Sequence, residues 1–297
     1  MKFDWLLFKV LAVAFFVLGP PVSRAADLQE VVARGELRHL GIPYANFVTG
    51  AGDGFEVDLV KGFARHIGVK YQLVLTDFHS VTRDLLGKDV VRKGDDVRLE
   101  GSYPVRGDMI ATGFTVLPWR EKVLLFSVPT FPSQVLLVAR AESPQTPIKA
   151  SGSLPRDIAE TRAMIGKRSL LVMEKTCLDP GNYALRGQGV DLRAYAKSTN
   201  LNEMVPALLN GDAELTLLDV PSALLDLQKW AGRIKVLGPI SDQQQLAAAF
   251  PKSSPELRAA FDDYLGKIKA DGTYDKLVSK YFPGIRRYFP EFFARRS

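Results

Sequence analysis

Cysteine is almost missing from this 297-residue sequence, and a single thiol, Cys177, excludes an internal disulfide. Stability must then come from a buried core, and a hydrophobic content of 46% supplies the material for one large domain or two lobes. Histidine is also sparse: His39, His66 and His79 are too scattered for a metal site, and Cys177 has no evident partner. His66 falls in a helical pattern and reads as solvated, whereas His39 reads as structural. No Gly-x-Ser-x-Gly elbow, phosphate loop or dinucleotide fingerprint occurs, so the usual hydrolase, nucleotide and redox-cofactor chemistries have no foothold. No cofactor is expected. Basic and acidic residues are interspersed rather than blocked, which argues against nucleic acid as a partner. There is no internal repeat and no low-complexity tract.

What is present begins with an apolar run from Leu6 to Leu18, interrupted by Lys9. The uninterrupted part is short for a membrane-spanning helix, which needs about 20 residues. Gly19, Pro20 and Pro21 break it, and Ser23-Arg24-Ala25 offers small residues around a processing site. The expectation is a signal peptide over 1–25, cleavage near Ala25 and export to the periplasm; a retained N-terminal anchor is the rival reading. Removing that segment takes away Lys2, Lys9, Arg24 and Asp4 and so lowers the net charge of +6 by only two.

Beyond it, short β-type runs alternate with helical periodicity, the pattern of an α/β protein. Strands are expected at Leu37–Ile42, Tyr71–Leu75, Met109–Ala111, Val135–Val138, Leu170–Val172, Leu215–Leu218 and Ile234–Leu237. Phe55, Leu59, Phe63 and Ile67 share one face of a helix over Gly54–Ile67. Ser254 and Pro255 open another, with Leu257, Phe261, Tyr264, Leu265 and Ile268 as its apolar stripe. Gly272 ends it, and Thr273–Phe282 follows as a second. Shorter helices fit Asn202–Leu209 and Pro221–Leu227. The charged stretch Gly87–Arg106 reads as a surface excursion, and Glu142–Pro155, rich in Ser and Pro, as a connection between lobes.

Four segments in order resemble the periplasmic amino-acid-binding receptors, solute-binding protein family 3. They are Gly54-Phe55-Glu56-Val57-Asp58-Leu59; Ala111-Thr112-Gly113-Phe114-Thr115 running to Arg120 and Phe126-Ser127-Val128-Pro129; Asn210-Gly211-Asp212-Ala213 running to Leu218-Asp219-Val220-Pro221; and Lys269-Ala270-Asp271-Gly272-Thr273-Tyr274 with Lys280-Tyr281-Phe282. Each alone is weak, but their order and spacing are specific. The resemblance implies a two-lobed periplasmic-binding-protein-like (type II) fold with two crossover strands. The first lobe is expected over 26–139 plus 243–297 and the second over 140–242, with crossings near Val138–Arg140 and Ser241–Gln245. It also implies a monomer that hands a small amino-acid-like ligand to the permease of an ABC transporter.

An amino acid carries a carboxylate and an ammonium, and burying either unpaired is costly. Arg120 suits the carboxylate because its planar fork makes two charge-assisted bonds. The resemblance sets Thr112, Gly113 and Thr115 beside it and makes Asp219 the ammonium partner in the second lobe. Tyr44 and Phe78 stand where related receptors place aromatics against the ligand, and Thr176 in the loop that meets the carboxylate. Bland readings stay open beside these: Arg120 as a solvated helix-start residue, Asp219 as the cap of the helix at Pro221, and Tyr44 and Phe78 as core.

That loop departs from the family pattern. Glu174-Lys175-Thr176-Cys177 stands where Gly-Thr-(Gly/Ser/Thr) is usual, and its two charges either narrow the cleft, change the ligand or turn outward. The charged Gly87–Arg106 stretch likewise replaces the usual helix and strand after Phe78. The chain also resembles the receptor-like N-terminal domain of lytic transglycosylases. Because it stops at Ser297, soon after the shared ending, a stand-alone sensor of cell-wall peptides is the alternative expectation. A remote third is the periplasmic cyclohexadienyl dehydratases, in which Glu174 would be the acid; the overall expectation is not an enzyme.

Overall fold

The computed structural model describes residues 26–93, 96–187 and 189–294; the signal-peptide expectation over 1–25 lies outside them. Among the described residues, fourteen strands and intervening helices build two five-stranded sheets and two small ribbons. The strands of the first sheet are β1 (Glu36–Gly41), β2 (Lys70–Leu75), β5 (Met109–Ile110), β6 (Leu124–Phe126) and β14 (Ala249–Pro251), in the order β2-β1-β5-β14-β6. Those of the second are β8 (Val135–Arg140), β9 (Ser169–Val172), β10 (Asp191–Ala194), β11 (Leu215–Asp219) and β12 (Ile234–Pro239), in the order β10-β9-β11-β8-β12. The two sheets repeat one plan. Three strands run parallel, and a fourth, β14 or β8, runs against its neighbours on both sides.

The chain crosses between sheets at β7 (Phe131–Ser133) and returns at β13 (Gln244–Leu246), and these two strands pair antiparallel. Val138–Arg140, the expected first crossing, lies inside the second sheet, where β8 is hydrogen-bonded on both flanks. An apolar run is compatible with a hinge or with a central strand, and only its two neighbours decide. Glu142–Pro155 does not connect lobes. It joins β8 to the helix Leu154–Ala163 and is tied to the second sheet by Ile148 N, which donates to Leu237 O at 2.9 Å. The Gly87–Arg106 stretch folds as a separate ribbon of β3 (Asp89–Lys93) and β4 (Asp96–Glu100), anchored where Arg106 meets Asp84 at 2.6 Å.

The helical periodicities translate directly into packing. Phe55–His66 buries Phe55, Leu59 and Phe63, and the Phe63 ring meets Phe261 edge-on at 5.2 Å from the helix Pro255–Ala270. Leu257, Phe261, Tyr264, Leu265 and Ile268 of that helix are buried as their spacing implies. Its start differs from expectation. Ser254 holds the cap position, but its hydroxyl donates to Ala26 O, and the carboxylate of Asp27 caps the helix instead, accepting from Leu257 N at 2.8 Å. Asp27 is distant in sequence, so no local pattern could announce it.

Two buried polar residues fasten the first sheet. Asp108 is fully buried and accepts from Arg34, from Arg38 Nη2 at 2.7 Å and from Arg38 N at 2.8 Å. His39 is fully buried, with Nε2 2.5 Å from Ala111 O and Nδ1 2.8 Å from Tyr71 Oη. A carbonyl only accepts, so Nε2 carries the proton and Nδ1 accepts from the tyrosine. Burial holds this imidazole neutral and lowers its pKa to about 4.

Replacing Asp108 with Ala leaves two arginines facing a buried gap and should cost about 3 kcal/mol, read as a lower urea midpoint with unchanged slope. His39 favours the neutral folded state, so its contribution is complete above the unfolded pKa of 6.5 and is lost as pH falls toward about 4. Relative to a His39→Gln variant, the wild type should therefore lose on the order of 3 kcal/mol across that acid window in pH-dependent unfolding.

Candidate functional site

The parallel strands of both sheets end at one crevice, the position where open α/β sheets place their ligands. Tyr44 follows β1, Phe78 follows β2, the segment Thr112–Thr115 follows β5, the loop Met173–Cys177 follows β9, and Asp219 ends β11. Contacts between the lobes close that crevice. Ser222 Oγ donates to Tyr44 Oη at 2.8 Å, Asn202 donates from Nδ2 to Pro43 O and accepts at Oδ1 from Ala45 N at 3.3 Å each, and His79 Nε2 lies 3.1 Å from Glu174 O.

Arg120 is not a solvated helix-start residue. It is 2% exposed, at the short helix Pro118–Glu121, with Nη1 donating to Thr115 O at 2.8 Å. Its guanidinium lies 3.8 Å from the Phe114 ring centroid and 5.2 Å from that of Trp119, so aromatic faces rather than a carboxylate surround it. Such desolvated cation–π contacts are worth about 2 kcal/mol. Burial lowers its pKa to about 10, which keeps it charged near neutrality. Its Nε is buried without a hydrogen-bond partner.

Asp219 is 1% exposed and does two things at once. Oδ1 caps the helix Val220–Lys229 by accepting from Ser222 N at 3.1 Å, whereas Oδ2 is buried without a hydrogen bond of ordinary geometry, although the Tyr44 hydroxyl acts on this carboxyl group. Burial, the largest influence, raises its pKa. Among the described residues neither Arg120 nor Asp219 forms a salt bridge. Both act on Cys177, whose thiol is pushed up to about 12 by burial and then by Asp219, against the opposing pull of Arg120. Cys177 thus sits within electrostatic reach of both opposite charges.

The remaining expected residues divide between lining and support. Thr112 Oγ1 bonds Ile42 N and O at 3.0 and 2.8 Å, stitching β1 to β5. Gly113 takes φ +65°, and a Cβ there would meet the Phe47 ring at 2.6 Å, so glycine is required. Thr115 presents its carbonyl to Arg120 and its hydroxyl toward Cys177. Tyr44 is buried, stacked on Phe47 and edge-on to Phe78 at 5.4 Å, and Asp219 adds to the burial that raises its pKa. Thr176 is turned to local work, donating to Met173 O at 2.7 Å and accepting from Leu178 N at 3.0 Å.

Sequence reasoning passed over Cys177 and Tyr183, which donates its hydroxyl to Cys177 O and is reached by Gln244 Nε2 at 3.4 Å. The signal lies in the backbone: Lys175 adopts φ +61°, a left-handed turn that orients the residues after it in a way sequence spacing cannot reveal. The two foreign charges of this loop face outward. Glu174 is half exposed and meets Arg186 at 2.7 Å, and Arg186 also meets Asp179 at 3.3 Å. Among the described residues there is no cluster of metal-ligating side chains and no helix long and apolar enough to cross a membrane.

Comparison with known proteins agrees with this architecture. The chain is 26% identical over 285 residues to the lysine/arginine/ornithine-binding periplasmic protein of Escherichia coli, covering 92% of this chain and 96% of that protein. It is 26% identical over 233 residues to the membrane-bound lytic murein transglycosylase F of Desulfosudis oleivorans, covering 78% of this chain and 44% of that protein. The chain thus spans about half the length of the transglycosylases it matches. A crystal structure of a mutant ArgBP from T. maritima superposes with a TM-score of 0.67 at 23% identity, over 86% of this chain and 99% of that one, which shows the shared fold. The family model of bacterial extracellular solute-binding proteins, family 3, matches residues 98–284, more than half of the sequence, and the chain belongs to that family.

Proposed function

We propose that this protein is a periplasmic receptor that captures a polar amino acid or similar small zwitterion between its lobes and delivers it to the permease of an ABC transporter. The observation that carries this reading is the pair Arg120 and Asp219. They are opposite charges on separate lobes, both buried, each with a polar atom lacking a hydrogen bond of ordinary geometry, and both acting on the same thiol. A ligand carboxylate against Arg120 and a ligand ammonium against Asp219 would neutralise both at once. Because the groups belong to different sheets, a ligand bearing both charges holds the lobes together, and closure follows from its differential contacts. Tyr44 and Phe78 supply the apolar wall beside it, with the Gly113–Thr115 backbone and Cys177 completing the rim. The family's extracellular character, and a relative named for binding lysine, arginine and ornithine, support this choice of ligand class and compartment.

A second reading draws on the transglycosylase relatives: a binding module for cell-wall peptides, which also carry amino and carboxyl groups. Calorimetry of the purified protein against the common amino acids and against muropeptides separates the two. Heat with a polar or basic amino acid supports the receptor; heat with muropeptides alone supports the sensing module.

Arg120→Ala should weaken binding of whichever ligand is found by at least about 30-fold, because the partner carboxylate is left desolvated and unpaired. Binding within a few-fold of wild type in a folded variant would remove the carboxylate assignment. Cys177 offers a check without mutation. Its raised pKa makes alkylation by iodoacetamide slow at neutral pH, and saturating ligand should slow it further. Labelling indifferent to ligand would place the ligand elsewhere.

A further inference from the structure

Behind the crevice lies an acid that the reading above does not use. Glu56, in the first turn of Phe55–His66, is fully buried. Its Oε2 accepts from Gly113 N at 2.5 Å, and its Oε1 lies 3.0 Å from Thr130 Oγ1. Gly113 belongs to the segment whose Thr115 carbonyl holds Arg120. Thr130 immediately precedes β7, the first crossing strand. The same Thr130 hydroxyl lies 3.2 Å from Leu246 O in β13, the returning strand. Leu246 in turn bridges Thr115 and pairs with Phe131, and Ala247 N donates to Phe114 O at 3.1 Å. One carboxyl group therefore touches the ligand-side segment and, through one hydroxyl, both strands that join the lobes.

We infer that Glu56 is a positioning residue that couples the Gly113–Thr115 segment to the hinge strands through Thr130, and that its proton state selects between two complete hydrogen-bond patterns. A carboxylate only accepts, so when Glu56 is ionised the single Thr130 hydroxyl hydrogen points to Oε1 and Gly113 N makes a charge-assisted bond. When Glu56 is protonated on Oε1, that O–H donates to Thr130 Oγ1, and the hydroxyl hydrogen turns to Leu246 O. No buried donor or acceptor is orphaned in either state. What changes is the partner of the hinge strand and the strength of the hold on Gly113.

The surroundings let the proton come and go near neutrality. Burial raises the Glu56 pKa to about 7, opposed by the bonds from Gly113 and Thr130. From the helix Thr273–Tyr281, Tyr274 faces this group and donates its hydroxyl to Thr130 O at 2.6 Å. Beyond that ring stand Lys269, bonded to Pro129 O, and Arg286, which pairs with Asp275. On the same helix as Glu56, Asp58 turns away to Lys280 and Tyr281. The crossing strands and the Gly113 segment present hydroxyl and backbone groups to Glu56.

Amide NMR of the full protein tests the coupling without any ligand. Between about pH 5 and pH 8.5 the Gly113 amide signal and the Leu246 peptide signal, read at the Ala247 N–H that shares its carbonyl, should titrate together with one midpoint. Glu56→Gln, which mimics the protonated acid by accepting from Gly113 N and donating to Thr130, should fold and show neither titration. Thr130→Val should leave the Gly113 titration and abolish that at Leu246. Titration of Gly113 with a silent Leu246 in the wild type, or an unchanged profile in Glu56→Gln, overturns the proposal. The affinity arm alone rests on the receptor reading. For whichever amino acid gives heat, wild-type affinity should fall roughly 3- to 10-fold from about pH 8 to pH 6, while Glu56→Gln stays flat at the weaker value. If no amino acid binds, the receptor reading fails, and the two amide signals still decide the coupling.

Discussion

A guanidinium and a carboxylate withdrawn from water on facing walls constrain the rest of this molecule. Arg120 and Asp219 are among its most buried polar groups, and neither has a salt-bridge partner among the described residues. An isolated charge in such a place is costly unless fixed dipoles and rings share it. The surrounding structure supplies that sharing. Phe114 and Trp119 flank the guanidinium and the Thr115 carbonyl accepts from it, while Ser222 N and the start of a helix receive half of the carboxylate. Each charge is held firmly enough to stay in position, and each keeps one polar atom without a hydrogen bond of ordinary geometry.

Two such groups on separate sheets are joined through the paired strands β7 and β13, and the Gly113–Thr115 segment is bonded to one of them. The crevice wall and the hinge are therefore parts of one hydrogen-bonded surface rather than neighbours. Gly113 shows how little slack remains, since a methyl group there would run into Phe47 and the amide is already spent on Glu56.

The buried ionisable groups of the first lobe pull in opposite directions. His39 favours its neutral form and loses ground in acid, whereas Glu56 favours its protonated form and loses ground as pH rises from its unfolded value toward about 7. Both sit under the strand ends that form the crevice, so the same region that presents Arg120 is sensitive to pH from either side.

Local pattern was sufficient for most elements. Apolar runs located seven of the ten strands of the two sheets within a residue or two, missing the short β6, β14 and the exposed β10, and the stripes at Phe55–Phe63 and Leu257–Ile268 marked the two helices that cover the first sheet. Arg120 and Asp219 were also picked out, because they lie in segments whose order and spacing are specific, and both are buried. Other features had no local signature. Val135–Arg140 reads the same as a hinge or a central strand until β11 and β12 flank it. Asp27 caps a helix that begins at Pro255, and Glu56 reaches Gly113 and Thr130, because the backbone brings them together across long stretches of sequence. After the left-handed turn at Lys175, Thr176 is bonded within its own loop, and Cys177 feels both charges. Periodicity records which face of an element avoids water, and so the sequence alone determined the elements and their buried sides. Only the tertiary structure decided which strand ends meet, since the direction of a loop side chain depends on backbone angles and on partners far away in the chain.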